Sequence, residues 1–363
     1  MNITIVKKIY KKFHGLELLD DIGKIKLIEY KWIKQIFNLL ASKISYWSRK
    51  RKIKRGKDLK VGNNFMSNDI KQWIIEHTFY EYYLMNDTFG KIYIYNLSEL
   101  DEKLINKIIR ITELIYNLST NKNKVHIIII LTPFKKSLNI TDKCIGCNNV
   151  NSGMSDGTKV IVWRHEEMDK VLIHELIHHH QLDFGDTYIT QSKKEANETL
   201  LIENNFLKNI KLNNKKRLIL NEAYTETLAT IINCAIYSFD NKQDFDRLIV
   251  FELWHSLIQV VKLLTHFGFK TMNEFLGLDD GQNIMCEETN VFAYYILKSY
   301  LLFSIPYVFN FIYCKKNIKN YRIFIKEIII DDKHWVHIIN WIIDNYSESN
   351  NNLRMTLFGE LSS

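Results

Sequence analysis

Proline is nearly absent from this chain: only Pro133 and Pro306 occur in 363 residues. Long apolar runs are missing too. None reaches about 18 residues, the length that spans a bilayer, so no transmembrane helix is expected. Residues 1–12 lack the apolar core of a secretory signal. Cysteines are few and odd in number, five in all, and only Cys144 and Cys147 are close together. Without a signal the thiols are expected to be reduced and the protein soluble and intracellular. A lone C-x-x-C with no second pair reads as a loop with two thiols, not as a metal knuckle.

The residues that are present can fill a core. The chain is 46% hydrophobic and 13% aromatic, and its length suits one large domain or two of moderate size. Charge is uneven. Residues 1–60 hold 17 Lys and Arg against 5 Asp and Glu, so the basic excess is confined to this end. It is densest over 49–55, after an amphipathic segment, 25–46, with Trp32, Ile33, Ile36, Phe37, Leu40 and Ile44 at helical spacing. Residues 49–60 are a candidate contact for an anionic partner, either nucleic acid or a membrane surface, and 49–55 also reads as a nuclear-import address. The competing reading is a solvated linker. It is favoured because no stacking-aromatic or helix-turn-helix pattern accompanies the run.

The chemistry points to one stretch, His174-Glu175-Leu176-Ile177-His178. It reads H-E-x-x-H inside an apolar run. On a helix, positions i and i+4 share a face, so His174 and His178 can present two imidazoles to one ion. Glu175 lies where a carboxylate can take a proton from a metal-bound water. Acidic residues at 166, 167 and 169 precede the run and suit a helix N-terminus.

A third ligand must come from elsewhere. Gln181 and Phe184 stand where a metzincin needs glycine and histidine, which excludes that class. Glu222 and Glu226 open a helical run and are themselves i, i+4. One can ligate zinc while the other accepts a hydrogen bond from the far nitrogen of a ligand histidine. The alternative is two solvated glutamates on a surface helix. His179 and His180 are rotated off the ligand face and read as packing residues, and His126, His334 and His337 read as structural.

The rest of the chain splits at about 60 and 183. Residues 1–60 form a basic N-terminal helical extension or linker. In 61–183, patterns predict a helix over 71–83, a strand at 91–95, a helix from 98 or 101 to 117, a strand at 124–131 and a strand at 159–164. The metal helix follows directly. Residues 184–363 read as helical, with helices and loops at 184–218, a buried helix at 245–267, a long helix at 290–311 bent at Pro306, and another at 331–346. Asn290, Tyr294 and Lys298 form a polar stripe, with Lys298 expected in solvent.

The pair of motifs, His174-Glu175-x-x-His178 and Asn221-Glu222-x-x-x-Glu226, resembles the gluzincin zinc metallopeptidases. The resemblance covers two short motifs and the order of elements around them, and it departs at His179, where an apolar residue is usual. It implies an α+β, zincin-like fold: a small mixed sheet with helices, then a mainly helical C-terminal subdomain. It implies Zn²⁺ on His174, His178 and Glu222, with Glu175 as general base, Glu226 orienting a ligand histidine, and a peptide or protein as substrate. Tyr294 becomes the oxyanion-stabilising candidate, with Tyr295 and His266 behind it, and Lys298 a candidate for a substrate carboxylate. Val150, Asn151, Ser152 and Gly153 fall where such peptidases place the edge strand that pairs with substrate, the alternative being a hairpin loop. Two other functions compete: a non-catalytic zinc-stabilised binding protein, and a basic nucleic-acid or membrane-associated factor in which the motif is accidental.

Overall fold

A computed structural model describes residues 26–59, 63–183, 208–213, 219, 221–306, 308–309, 333–345 and 351–358. The insert expected at 184–218 lies largely outside the described residues. So do residues 1–25 of the basic end.

Among the described residues the chain is mixed α+β, built on a six-stranded sheet of order β1-β2-β3-β4-β6-β5. Its strands are β1 (Ser48–Arg55), β2 (Thr78–Asn86), β3 (Gly90–Asn96), β4 (Val125–Ile130), β5 (Gly153–Ser155) and β6 (Val160–Val162). β1, β2 and β3 form an antiparallel meander. β3, β4 and β6 run parallel, and β5 closes the far edge antiparallel to β6. Parallel neighbours need a crossover, and helix α3 (Glu102–Leu118) supplies it between β3 and β4.

Alternation explains the layers. Ile92 and Ile94 of β3, with Val125, Ile127 and Ile129 of β4, face the main core with α3. Tyr95, Ile130, Ile161 and Trp163 face the other side, where α2 (Asn68–Glu76) covers them with Ile70 and Ile74. The main core continues into the helices: α1 (Lys31–Ala41), α5 (Met168–His179), α6 (Asn221–Asn241), α7 (Phe245–His266) and α10 (Lys333–Asn345). Short helices α4 (Cys147–Val150) and α8 (Met272–Leu276), and α9 (Lys298–Phe303), complete the set. By length and composition α7 could cross a membrane, but it is packed inside the protein, with Glu252, His255 and Gln259 all buried along it.

Five expectations are corrected here. The basic run is not a linker: it is β1, paired residue by residue with β2. Arg51 reaches Glu99 at 2.6 Å and Lys52 reaches Glu81 at 3.0 Å, and Arg49 pairs with Glu102. A lysine- and arginine-rich edge discourages pairing with another chain. Second, the helix expected over 71–83 ends at Glu76. Ser67 caps its start through Ile70 N, and the aromatic residues beyond it form β2, where Tyr83 opposes Tyr93 with ring centroids 4.9 Å apart.

Third, Cys144 is bonded to Cys286, with Cα atoms 4.6 Å apart, while Cys147 is free. The reduced pair is therefore replaced by a bond between the loop before α4 and β8 (Met285–Cys286), which pairs in parallel with β7 (Leu212–Asn213). Fourth, the long helix at 290–311 begins as a π-helical stretch, Phe292–Leu297, continues as α9 and breaks at Ser304 (φ −94°, ψ 27°), two residues before Pro306. Pro306 has no N–H to donate one turn back and its ring crowds the carbonyl four residues earlier, which distorts the helix near the bend expected at Pro306. Fifth, Lys298 is buried, not solvated, and donates to Met355 O.

Candidate metal centre

Helix α5 carries His174, Glu175 and His178, and every residue from Met168 to Ile177 is buried. It begins at Glu167, which holds a left-handed backbone (φ 60°). The Glu167 carboxylate fixes that start: Oε1 accepts from Thr356 N at 2.6 Å, and Oε2 lies 2.8 Å from Lys136 Nζ. Helix α6 packs along α5, with Glu222 in its first turn and Glu226 one turn further on.

Three potential ligand atoms converge between these helices. His174 Nε2 and His178 Nε2 are 3.1 Å apart. Glu222 Oε2 is 3.3 Å from the first and 3.4 Å from the second. Ligands placed tetrahedrally at about 2.0–2.1 Å from one ion stand about 3.3–3.4 Å apart, so the spacing fits a four-coordinate site.

No family model, curated protein or solved structure matches this chain. The resemblance to gluzincins therefore rests on the site and on the order of elements around it.

The donor set supports an ion on electrostatic grounds. Glu222 Oε2 is buried and accepts no hydrogen bond. His178 Nδ1 lies 2.6 Å from Asp183 Oδ2, which in a neutral ring leaves Nε2 as the bare lone pair. His174 Nδ1 sits 2.8 Å from Glu226 Oε2, an ion-pair distance without hydrogen-bond alignment. Lone pairs on three atoms thus face one point, and a cation satisfies all of them at once.

The protonation states follow. Burial lowers His174 to about 4. His178 is raised well above its ordinary value: burial opposes this, and the Glu222 and Asp183 carboxylates outweigh burial. Glu222 is lowered: burial opposes, and the two imidazoles outweigh it. A proton on His178 and a cation between the rings answer the same electrostatic need, so an ion bound here would displace that proton.

The remaining expected site residues largely meet here. Glu175 is buried beside the ligands, and burial pushes its carboxyl up to about 8. Val150, Asn151, Ser152 and Gly153 all line a cavity of about 220 Å³ together with the ligands, Glu175, Glu226 and Tyr294. Only Gly153 of the four belongs to the edge strand; Val150 ends the single turn of α4. A Cβ on Gly153 would stand 2.7 Å from both Glu175 Oε1 and Val171 Cγ1, so glycine is what lets the edge pass so close to Glu175. Tyr294 is half-buried, with its ring 6.1 Å from that of His174. Burial first, and Glu222 second, hold its hydroxyl protonated.

Other candidates lie elsewhere. Tyr295 donates to Leu353 O at 2.6 Å, and His266 Nε2 lies 2.7 Å from Asp142 O. Lys298 does not line the cavity. His179 and His180 pack against each other, with ring centroids 4.8 Å apart. His334 and His337 are exposed on α10. Sequence reasoning missed Asp183, Lys136, Lys170 and Met355. Lys170, one turn before His174, carried a usable signal: an i−4 lysine on the ligand face can reach a carboxylate beside the same ring.

Proposed function

We propose that this chain is a metal-dependent peptidase of zincin-like architecture. Zinc is the expected ion, with His174, His178 and Glu222 as ligands and Glu175 as general base. The convergence of His174 Nε2, His178 Nε2 and Glu222 Oε2 beside a buried, otherwise unassigned glutamate carries this reading. An ion bound there supplies Lewis acidity and lowers the pKa of water towards about 7.

The chain's own groups do the rest. Positive charge at the ligands favours the carboxylate form of Glu175 against the burial that raises its pKa. Glu175 then accepts a proton from the attacking water and hands it to the leaving amine. Asp183 holds His178, and Glu226 stands behind His174, so both rings keep their Nε2 atoms turned to the site. The free edge of β5 offers backbone donors and acceptors to an extended peptide beside Glu175. Tyr294 donates towards the developing oxyanion, a role worth about 2–4 kcal/mol.

The zincin-like reading draws support from the order β3, α3, β4, α4, β5, β6, α5, in which an antiparallel edge strand leads through its neighbour into the helix of His174 and His178. A purely structural metal site would fill its fourth position with protein, yet the described residues bring three ligands together, not four.

The test is a mixed peptide library offered to wild type and Glu175→Gln, both loaded with zinc and read by mass spectrometry. Cleavage by wild type, lost on chelation and lost in the variant, is expected. Cleavage by the variant at the wild-type rate removes Glu175 from the mechanism. Absence of cleavage by metal-loaded wild type favours the binding-protein reading.

A further inference from the structure

Beyond the ligands the cavity continues along α5. Its lining there includes Lys136, Lys170, Val171, Ser152 and Met355. Lys170 is four residues before His174, so its Cα lies about 6 Å back along the helix axis.

Two ammonium groups in such a place need an account. Lys136 and Lys170 are each 1% exposed, yet both line the cavity. Each has one oxygen partner among the described residues: Glu167 Oε2 at 2.8 Å for Lys136, and Glu226 Oε1 for Lys170. Lys170 also lies 3.4 Å from Met355 Sδ, a weak acceptor. An ammonium has three N–H donors, so both groups keep donors in hand. Their carboxylate partners are shared as well. Glu226 lies against His174 Nδ1, and Glu167 accepts from Thr356 N. Two carboxylates balance the two ammonium groups in charge, so what this end keeps in hand is N–H donors.

A separate observation points the same way. Ser152 is 4% exposed, lines the same cavity, and its Oγ has no hydrogen-bond partner. Buried polar groups without partners are uncommon and call for a missing acceptor or donor. Scale narrows the choice. A cavity of about 220 Å³ is below the range of pockets that hold drug-sized ligands, so it takes one side chain or chain end, not a folded loop.

Building on the peptidase reading, we propose that this end of the cavity is a carboxylate-binding subsite, in which Lys136, Lys170 and Ser152 receive an acidic side chain or the free C-terminal carboxylate of the substrate. The enzyme is then selective for peptides that place a carboxylate one helical turn from the scissile bond. Charge-assisted hydrogen bonds to an oxygen pair supply the discrimination, since an amide of the same shape offers one acceptor and brings extra donors against two ammonium groups.

Matched peptides test this on the full, zinc-loaded chain. Each pair differs only by Asp for Asn, Glu for Gln, or free acid for amide at the C-terminus. At least a tenfold higher kcat/KM is expected for the carboxylate member of one pair. Enrichment in the Asp/Asn or Glu/Gln arm identifies a side chain, and enrichment in the acid/amide arm identifies the chain end. Equal rates in every arm overturn the proposal. In Lys136→Met the ratio is expected to fall towards one, and an unchanged ratio in a folded variant also overturns it.

Binding separates this proposal from the peptidase reading. Calorimetric titration of the chelator-treated protein compares N-acetyl-aspartate amide with N-acetyl-asparagine amide, and N-acetyl-alanine with its amide. Without metal, a carboxylate can still pair with a protonated His178, so the titration is repeated on Lys136→Met, and a preference lost there reports the ammonium groups. Preferential binding of an acid member supports the subsite even where no peptide is cut. Equal binding within both pairs, or none at millimolar concentration, contradicts it even where peptides are cut.

Discussion

Asp183 offers a perturbation that leaves all three proposed metal ligands in place. Its side chain is 4% exposed, with Oδ2 2.6 Å from His178 Nδ1 and accepting from Thr225 Oγ1 at 3.3 Å. A hydrogen bond to a charged acceptor contributes about 1.5–3 kcal/mol. Loss of such support behind a metal-bound imidazole lowers metal affinity about 10–100-fold, or about 1.4–2.8 kcal/mol. Asp183→Asn keeps the volume and one acceptor but removes the charge, so the lower end is expected. Asp183→Ala removes both, so the upper end is expected. Zinc affinity is read by competition with a chromogenic chelator, with circular dichroism confirming the fold. Wild-type affinity in both variants would falsify the support role. If His178→Ala also retained wild-type affinity, His178 itself would leave the ligand set.

Three other outcomes are expected. Gly153→Ala places a methyl 2.7 Å from Glu175 Oε1 and Val171 Cγ1; overpacking of this kind costs about 1–3 kcal/mol, and turnover should fall while zinc content stays at the wild-type level. Lys170→Met leaves buried Glu226 without its ammonium partner and should cost about 3–5 kcal/mol in urea denaturation, with much of that recovered in Lys170→Met/Glu226→Gln; equal loss in single and double variants would refute the pairing. Burial raises Glu287 to about 7 from an unfolded value of about 4.5. The folded state holds this proton more tightly, so stability is greatest below the unfolded value and falls as pH rises through about 7. Glu287→Gln should flatten the fall between these values, and an identical pH profile in wild type and variant would contradict the assignment.

The order of elements was legible where patterns were strong. β4 shows as a run of β-branched residues, and α3 shows Ile and Leu at helical spacing between Asp101, which caps it through Lys103 N, and Leu118. The H-E-x-x-H spacing picks out two candidate ligands because one helical turn brings i and i+4 together, and Glu222 and Glu226 obey the same rule. What failed has physical causes. β1 carries charged residues on both faces, with Ser48 and Ile53 its only uncharged positions, so no alternation of polarity marks it, and its pairing with β2 makes it a strand. The junction at His77 joins a helix to a strand with aromatic residues on each side, so periodicity alone carries through it. The Cys144–Cys286 bond joins positions 142 residues apart. Asp183, Lys136 and Met355 reach the site from a helix end, a loop and the C-terminal segment, and no local pattern announces them.

Anomalous scattering at the zinc edge, from crystals grown with zinc, tests the central assignment most directly. The expected result is one strong peak between α5 and α6, about 2.0–2.2 Å from His174 Nε2, His178 Nε2 and Glu222 Oε2 together. A peak held by other side chains, or none at this place in zinc-saturated crystals, would contradict it.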